Sequence, residues 1–501
     1  MMITDLNCEN LGLSRLCLME SAGKSLSDEV AKIATFTFSK PVKIAIFTGS
    51  GGNAGDGFVA ARYLLNRGYE IEIYMVSSDI KSENAKINLE ILKNLKPRLS
   101  RLKIEVLENN DLELFKSDSF SEYIIVDAIL GTGIKGKLKT KFKNIIENIN
   151  NSNAFTVSVD VPSGMDPLTG EIKDLAIRPE YTVSFHKVKT GVKKAGEDLV
   201  GGIVTCDIGI PLEAEYFTGH GDLIKLQNRK KSSHKGDNGK VLIIGGSIDY
   251  SGAPTLSGLS AISSGSDLVY VLSPESASLA IKFSSPDLIV HSLKGDYLNL
   301  NHLDDILEFV KKVDAILIGP GAGLNEDTGK LFNILVSKIK KPIVLDADAL
   351  KLVDISLISK KEDIILTPHL YEFKEFFSNF NLDDLKLDMV DFNKVNENIS
   401  VFQEIVSSIN GTVLIKGKDD LILKNDKFKI NKTGNSGMTV GGTGDVLSGL
   451  VLSLISQGLN VFDSGVIASY LNGKAGDIAK LEKGYGFLAS DIIEYFGILM
   501  E

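Results

Sequence analysis

The stretch Val42-Lys43-Ile44-Ala45-Ile46-Phe47 leads through Thr48 into Gly49-Ser50-Gly51-Gly52-Asn53-Ala54-Gly55-Asp56-Gly57 and then into Phe58–Asn66. A short apolar run, a glycine-rich turn and a stretch with helical periodicity read as strand, turn and helix. Working outward, Glu70–Val76, Tyr123–Val126, Phe155–Val159, Tyr181–Phe185 and Ile203–Thr205 read as further buried strands. Helical Ser82–Leu95 and Lys139–Ile149 lie between some of them. Such alternation predicts an α/β fold, a parallel sheet covered by helices on both faces.

The pattern lapses at His220–Ser233, which is polar and basic, and then restarts. Lys240–Ile244, Leu268–Leu272, Leu288–His291, Ala315–Ile318, Ile343–Leu345, Ile364–Leu366 and Thr412–Ile415 are the strands expected of a second α/β unit. Long helices are predicted at Asp445–Gln457 and Val461–Leu481. A length of 501 residues exceeds one compact core. Two domains are therefore expected, 1–221 and 222–501.

A hydrophobic content of 43% and a charged content of 24% are those of a globular chain. The net charge of -10 opposes binding to nucleic acid or to an anionic membrane, because phosphate surfaces repel it. Val446–Ile455, the longest apolar stretch, is about half of the roughly 20 residues a membrane span requires. Cys8, Cys17 and Cys206 have neither CxxC spacing nor an even count. With no basic-then-apolar leader at the start, the expectation is a soluble, cytoplasmic protein.

In the glycine-rich turn, Gly49, Gly51 and Ala54 fit the GxGxxG/A spacing of a Rossmann dinucleotide turn. Asp56 argues against a pyrophosphate there, since a carboxylate at the helix N-terminus would compete for the same N–H groups and dipole. Three more loops follow later strands: Asp127-Ala-Ile-Leu-Gly131-Thr132-Gly133, Asp160-Val-Pro-Ser163-Gly164 and His186-Lys-Val-Lys189-Thr-Gly191. Ligands in open α/β sheets gather at the carboxyl ends of strands, so Asn53, Asp56, Asp127, Asp160, Ser163 and Lys189 are expected in one pocket. Oxygen donors without His or Cys suit a hard cation rather than zinc.

These motifs, together with Met19-Glu20-Ser21-Ala22-Gly23, resemble the NAD(P)H-hydrate epimerase family over about residues 10–215. The resemblance implies a Rossmann-like three-layer sandwich and a potassium ion held by Asn53, Asp127 and Ser163. It also implies that Gly52, Asn53, Ala54, Gly55 and Asp56, the loop Gly131, Thr132, Gly133, Ile134, Lys135, Gly136 and Lys137, and Asp160 bind the hydrated cofactor. The family turn usually has two adjacent asparagines; here Gly52 takes the first place, which removes one side-chain hydrogen bond. The reacting carbon carries a hydroxyl beside the ring nitrogen, so either loss and re-addition of water or ring opening needs an acid/base group. Asp160, helped by Lys189, is the candidate.

Near the C-terminus, Asn435-Ser-Gly-Met-Thr-Val-Gly441-Gly442-Thr443-Gly444-Asp445 precedes an apolar helix. Glycines let backbone N–H groups approach an anion, and the helix dipole adds attraction. Asp445 can then act as base toward a substrate hydroxyl. No GxxxxGK[ST] P-loop occurs. The arrangement resembles the ribokinase-like fold. His234–Gly239, Gly252-Ala253-Pro254, Gly319–Gly323, Asp346-Ala-Asp348-Ala-Leu, Thr367-Pro-His369 and Lys416–Asp420 follow in order and narrow the likeness to the NAD(P)H-hydrate dehydratases, over about residues 225–500.

That resemblance implies that Ala253, Gly323, His369 and Asp445 contact hydrated NADH or NADPH. It further implies that Lys416, Gly417, Lys418, Asp419, Asp420 and Gly444 hold the nucleotide, with Asp445 catalytic. Fused members of the family use ADP, so ADP is the expected co-substrate, with magnesium alongside it. A homo-oligomer is expected. The competing reading is a ribokinase-like vitamin or sugar kinase fused to a non-catalytic Rossmann-like module, which would release a stable phosphorylated product.

Overall fold

The computed structural model describes residues 2–107, 120, 122–131, 133, 137–377, 395–425 and 427–501. Contacts divide the chain into two compact units, Leu11–Pro211 and a second made of Met1–Asn10 with Leu212–Glu501. This division differs from the one expected at 221/222. The helix Leu212–Tyr216 and the turn His220–Lys225 already belong to the second unit. So does the Met2–Asn10 helix at the other end of the chain. Sequence periodicity marks where elements lie, but says nothing about which core a short helix joins.

In the first unit, β1 (Lys43–Thr48), β2 (Ile71–Met75), β3 (Leu102–Val106), β4 (Tyr123–Ala128), β5 (Phe155–Val159), β6 (Tyr181–Phe185) and β7 (Gly202–Cys206) make one sheet. Its order is β3-β2-β1-β4-β5-β6-β7, with every pairing parallel. Strand order reverses between β1 and β4, which opens a crevice beyond their carboxyl ends. β1 and β4 are buried almost throughout, as unbroken apolar runs in a doubly covered sheet should be. β3 was not among the expected strands. It is an edge strand in which Lys103 and Glu105 interrupt the apolar run.

The helix after β1 spans Gly52–Asn66, beginning six residues before the expected Phe58. Asn53 therefore sits in its first turn, and Asp56 lies a full turn inside rather than at the N-terminus. The Met19–Gly23 motif lies on the helix Arg15–Thr37, which packs against Gly52–Asn66. A Cβ on Gly23 would stand 2.3 Å from that of Val59, so only glycine lets the two helices approach this closely.

The second unit holds β8 (Lys240–Ile244), β9 (Leu268–Pro274), β10 (Ile289–Leu293), β11 (Ala315–Ile318), β12 (Ile343–Leu345), β13 (Ile364–Leu366), β14 (Thr412–Ile415), β15 (Asp420–Lys424) and β16 (Lys427–Asn431). The order is β10-β9-β8-β11-β12-β13-β14-β15-β16, with a second reversal at β8/β11. The last two pairings are antiparallel. The β15–β16 hairpin was missed because its strands carry Asp420, Lys424, Lys427 and Lys429 at a sheet edge. Apolar cores fill both sides of this sheet. On one side the helix Thr443–Ser456 is buried at every position from Val446 to Ile455. Among the described residues no helix is long and apolar enough to cross a membrane.

Candidate active sites

In the first unit the turns after β1, β4, β5 and β6 meet at the carboxyl ends of their strands. Asp127 is the penultimate residue of β4 and is fully buried. Its Oδ2 accepts from Ser158 Oγ at 2.8 Å and from the Ser163 backbone N–H at 2.9 Å. Its Oδ1 accepts from Ser163 Oγ and from the Ile129 N–H. Burial still pushes the Asp127 carboxyl above its ordinary range, against the pull of these donors from Ser163, Ser158 and Ile129.

Asn53 joins the group through its Nδ2, which donates to Val159 O at 2.8 Å and to Leu130 O at 3.5 Å. Ser163 Oγ accepts from the Leu130 N–H at 2.8 Å, so the three implied cation ligands, from the ends of β1, β4 and β5, meet there. A Cβ on Gly131 would lie 2.2 Å from Asn53 Oδ1, so any other residue here would displace the Asn53 amide. Asp160 takes a left-handed conformation, φ +64°, uncommon for a non-glycine residue. That turn directs its carboxylate to an ion pair with Lys189, and Oδ1 also accepts from the Phe185 N–H at 3.2 Å. Both side chains are nearly enclosed. Gly133 and Lys137 are exposed, while Thr132, Ile134, Lys135 and Gly136 lie outside the described residues.

In the second unit Asp445 is the third residue of Thr443–Ser456, whose N-cap Gly442 has φ +100°. Burial raises its carboxyl to about 7, and the Asp346 carboxylate adds to the rise while Lys416 opposes it. Lys416 Nζ pairs with Asp346 Oδ1 at 2.9 Å. Burial alone would lower the Lys416 ammonium, but the Asp346 carboxylate overcomes this and holds it above its ordinary value. Asp348 Oδ2 accepts from the Gly323 N–H at 2.9 Å. Between the two aspartates, Ala347 has φ +50°. Ala253 is the second residue of the helix Gly252–Ser263, whose Ser257 Oγ donates to Asp445 O at 3.0 Å.

His369 caps the helix Leu370–Phe376: its Nδ1 accepts from the Glu372 N–H at 3.2 Å. Its ring is otherwise half exposed. The Lys416 N–H donates to Pro368 O at 2.8 Å, which ties the two loops together. A cavity of about 540 Å³ lies between Lys416–Asp420, the 431–436 segment, Gly444 and Asn472–Gly473. Lys418 is exposed at its mouth, and Asp419 pairs with Lys432. Asp420 turns inward instead: its carboxylate accepts from the Gly417 N–H at 3.1 Å and from Asn431 Nδ2 at 3.1 Å. Burial pushes it up to about 6.

Asp346 and Asp348 reach the site although the motif that contains them implied no role for either. Two aspartates one residue apart directly after a strand were the signal, because a strand end delivers both to the crevice. Glu372 and Asn431 left no such signal.

A relative from Methanothermobacter thermautotrophicus, the "Bifunctional NAD(P)H-hydrate repair enzyme Nnr", is 44% identical, covering 100% of this chain and 94% of its own. The chain belongs to the bifunctional NAD(P)H-hydrate repair enzymes. The like-named protein of Pyrobaculum aerophilum is 37% identical, covering 99% of this chain and 95% of its own. Residues 241–497 match the family described as NAD(P)H-hydrate dehydratase, and residues 15–191 that described as YjeF-related protein N-terminus. Among solved structures, an ADP/ATP-dependent NAD(P)H-hydrate dehydratase from Bacillus subtilis, co-crystallised with ATP and Mg2+, is 24% identical with a TM-score of 0.45. That match covers 57% of this chain and 99% of the Bacillus chain. The two family matches fall one in each compact unit.

Proposed function

We propose that the chain returns hydrated NADH and NADPH to their reduced forms. The first unit interconverts the R and S hydrates, and the second dehydrates the S form with ADP, giving AMP and phosphate. Asp445 carries this reading: a carboxylate raised to about 7 stands at the start of a buried helix, beside the cavity that Lys416 and Gly444 help to wall. A base poised near neutrality is suited to take a hydroxyl proton.

In the second unit Asp445 removes the proton of the C6 hydroxyl as its oxygen attacks the terminal phosphoryl group of ADP. A C6–O–P linkage forms and AMP leaves. Backbone N–H groups at Gly441–Gly444 hold the phosphoryl oxygens, and Lys416 offsets their charge. The ring-nitrogen lone pair then expels phosphate, a far better leaving group than hydroxide. Loss of a C5 proton from the resulting iminium restores the ring double bond.

Magnesium would reach this site with the nucleotide, where Asp346 and Asp348 would help hold it, and it would neutralise phosphate charge. Among the described residues no group of three or more acidic, His or Cys side chains is set to cage an ion. That suits a metal that binds through substrate phosphates and keeps its waters.

In the first unit Asp160, paired with Lys189, moves the proton on the C6 hydroxyl while the configuration at C6 is exchanged. Asn53, Asp127 and Ser163 would hold potassium. The donors fit a large monovalent ion: one buried carboxylate, a hydroxyl, and the Leu130 and Val159 carbonyls converging on the Asn53 amide. Such an ion would neutralise Asp127 and pin three loops.

Incubation with an epimeric mixture of hydrated NADH plus ADP and magnesium should restore the absorbance of the reduced cofactor completely. A phosphorylated product that accumulates without that recovery would instead identify a kinase.

A further inference from the structure

The first helix of the chain, Met2–Asn10, clusters with the second unit although the whole first unit follows it in sequence. Asn7 is the anchor. It is buried; its Nδ2 donates to Ala214 O at 3.1 Å and its Oδ1 accepts from the Gly221 N–H at 2.8 Å. The segment pinned between these bonds runs beside β16, the edge strand of the nine-stranded sheet. Phe217 bridges to Ile430, the Thr218 N–H donates to Ile430 O at 2.9 Å, and Tyr216 stacks on Phe428 at 4.7 Å. Asp222 pairs with Lys429 at 3.3 Å.

One side-chain bond in this seam reaches further than the edge. Thr218 Oγ1 donates to Asn431 Oδ1 at 2.8 Å. Thr433 Oγ1 donates to the same oxygen at 2.7 Å. With its oxygen held by these hydroxyls and by the Thr433 N–H, the amide turns Nδ2 toward Ser469 O, Thr433 O and Asp420 Oδ2, and Asp420 in turn holds the Gly417 N–H. The orientation of one buried amide thus shapes the turn Lys416–Asp420.

We propose that Thr218 and Asn7 are positioning residues for the nucleotide site of the second unit. In this arrangement the N-terminal helix and the 212–222 segment brace the β15–β16 hairpin and pre-form its Lys416–Asp420 turn. The inference rests on reading that turn as the nucleotide loop. Bracing cuts the ordering cost that ADP would otherwise meet, so it acts on affinity and not on the chemical step.

The test uses the full chain with magnesium. ADP affinity is measured by calorimetry, and kcat and KM are measured for both activities. Thr218→Val should weaken ADP binding and raise its KM about five- to tenfold, as loss of one neutral hydrogen bond to a pre-formed loop implies. Dehydration kcat should stay within about twofold and epimerisation should not change, because neither unit's acid/base group is touched. Thr218→Ser, which keeps the hydroxyl, should restore ADP affinity. Asn7→Leu should shift it in the same direction as Thr218→Val, giving an independent reading should the valine variant unfold. Native ADP affinity in folded Thr218→Val or Asn7→Leu protein would overturn the brace. So would equal losses in both activities. A native chain that binds ADP but dehydrates nothing would defeat the proposed reaction and still leave the affinity shifts measurable. A native chain that binds no ADP would sink the loop reading, and the brace with it.

Discussion

Lys416 Nζ lies 2.9 Å from Asp346 Oδ1 and 3.3 Å from where a Cβ on Gly444 would stand. The ammonium therefore joins two strand ends to the N-terminus of a buried helix. Lys416 follows β14, Asp346 follows β12, and Gly444 precedes Asp445. A cation at that junction can meet a phosphate held by the helix, while its own carboxylate partner keeps it charged.

Asp445→Asn should abolish dehydration, by about 10²- to 10⁴-fold, as expected for loss of a general base. Epimerisation should persist, since Asp160 and Lys189 belong to the other compact unit. Parallel assays of both activities on one preparation decide it, and a matching fall in epimerisation would refute two separate sites.

The raised Asp445 carboxyl sets a pH dependence. Below about 7 it is protonated and cannot accept the hydroxyl proton, so dehydration kcat/KM should fall on the acid side of pH 7. The linkage to stability runs the opposite way. Because the folded value exceeds the ordinary 3.8, the native state binds this proton more tightly, a contribution complete below about pH 4 and lost as pH rises to about 7. Asp445→Asn should therefore be more stable than the native chain at pH 8 and about equal to it at pH 4. Denaturant titrations at the two pH values measure this, and an unchanged difference between them would contradict the raised value.

Asp346→Ala should destabilise the second unit and lower nucleotide affinity. Removing one partner of a buried pair costs about 3–5 kcal/mol, and the residual 19% exposure of the Lys416 side chain points to the lower figure. Urea unfolding with calorimetric ADP binding reads both effects; Asp346→Ala protein of native stability would argue against the pairing.

For the first unit, Asp160→Asn should lower epimerisation by about 10²-fold or more while keeping the fold. Asparagine tolerates the left-handed backbone at this position, whereas Asp160→Ala should lose about 1–2 kcal/mol further from the strained φ. Thermal unfolding separates the backbone effect from the chemical one. If the two variants melt together, the strain at residue 160 is not what the φ angle implies.

Epimerisation should require a monovalent cation, and Asn53→Ala should blunt the response to added potassium. The oxygen-only donor set favours a large, weakly charged ion over zinc or copper. Rates titrated against potassium in a potassium-free background test this, and a flat titration with the native chain would remove the ion from the site.

Alternating apolar runs and helical stretches were enough to read two α/β units and their glycine-rich turns, because interior strands and fully buried helices must be apolar along their whole length. The loops after the strands were legible for the same reason, since a parallel sheet sends every such loop to one edge, where Asn53 and Ser163 bond to the loops around Asp127, and Asp160 pairs with Lys189. Polar edge elements escaped. β3 and β16 are partly exposed and carry charged residues, and β15 holds only three apolar residues between Asp420 and Lys424, so none leaves a long apolar signal.

Local sequence determined the strands, the two glycine-rich turns and the aspartates set against them, since each follows from residue type and spacing within about ten positions. Tertiary structure alone decided that Met2–Asn10 serves the second unit, that Asn431 bonds to Asp420, and that burial, with Asp346, raises Asp445 while Asp346 holds Lys416 charged. Each of these depends on groups brought together from distant parts of the chain. Their strength comes from burial, which no stretch of sequence displays by itself.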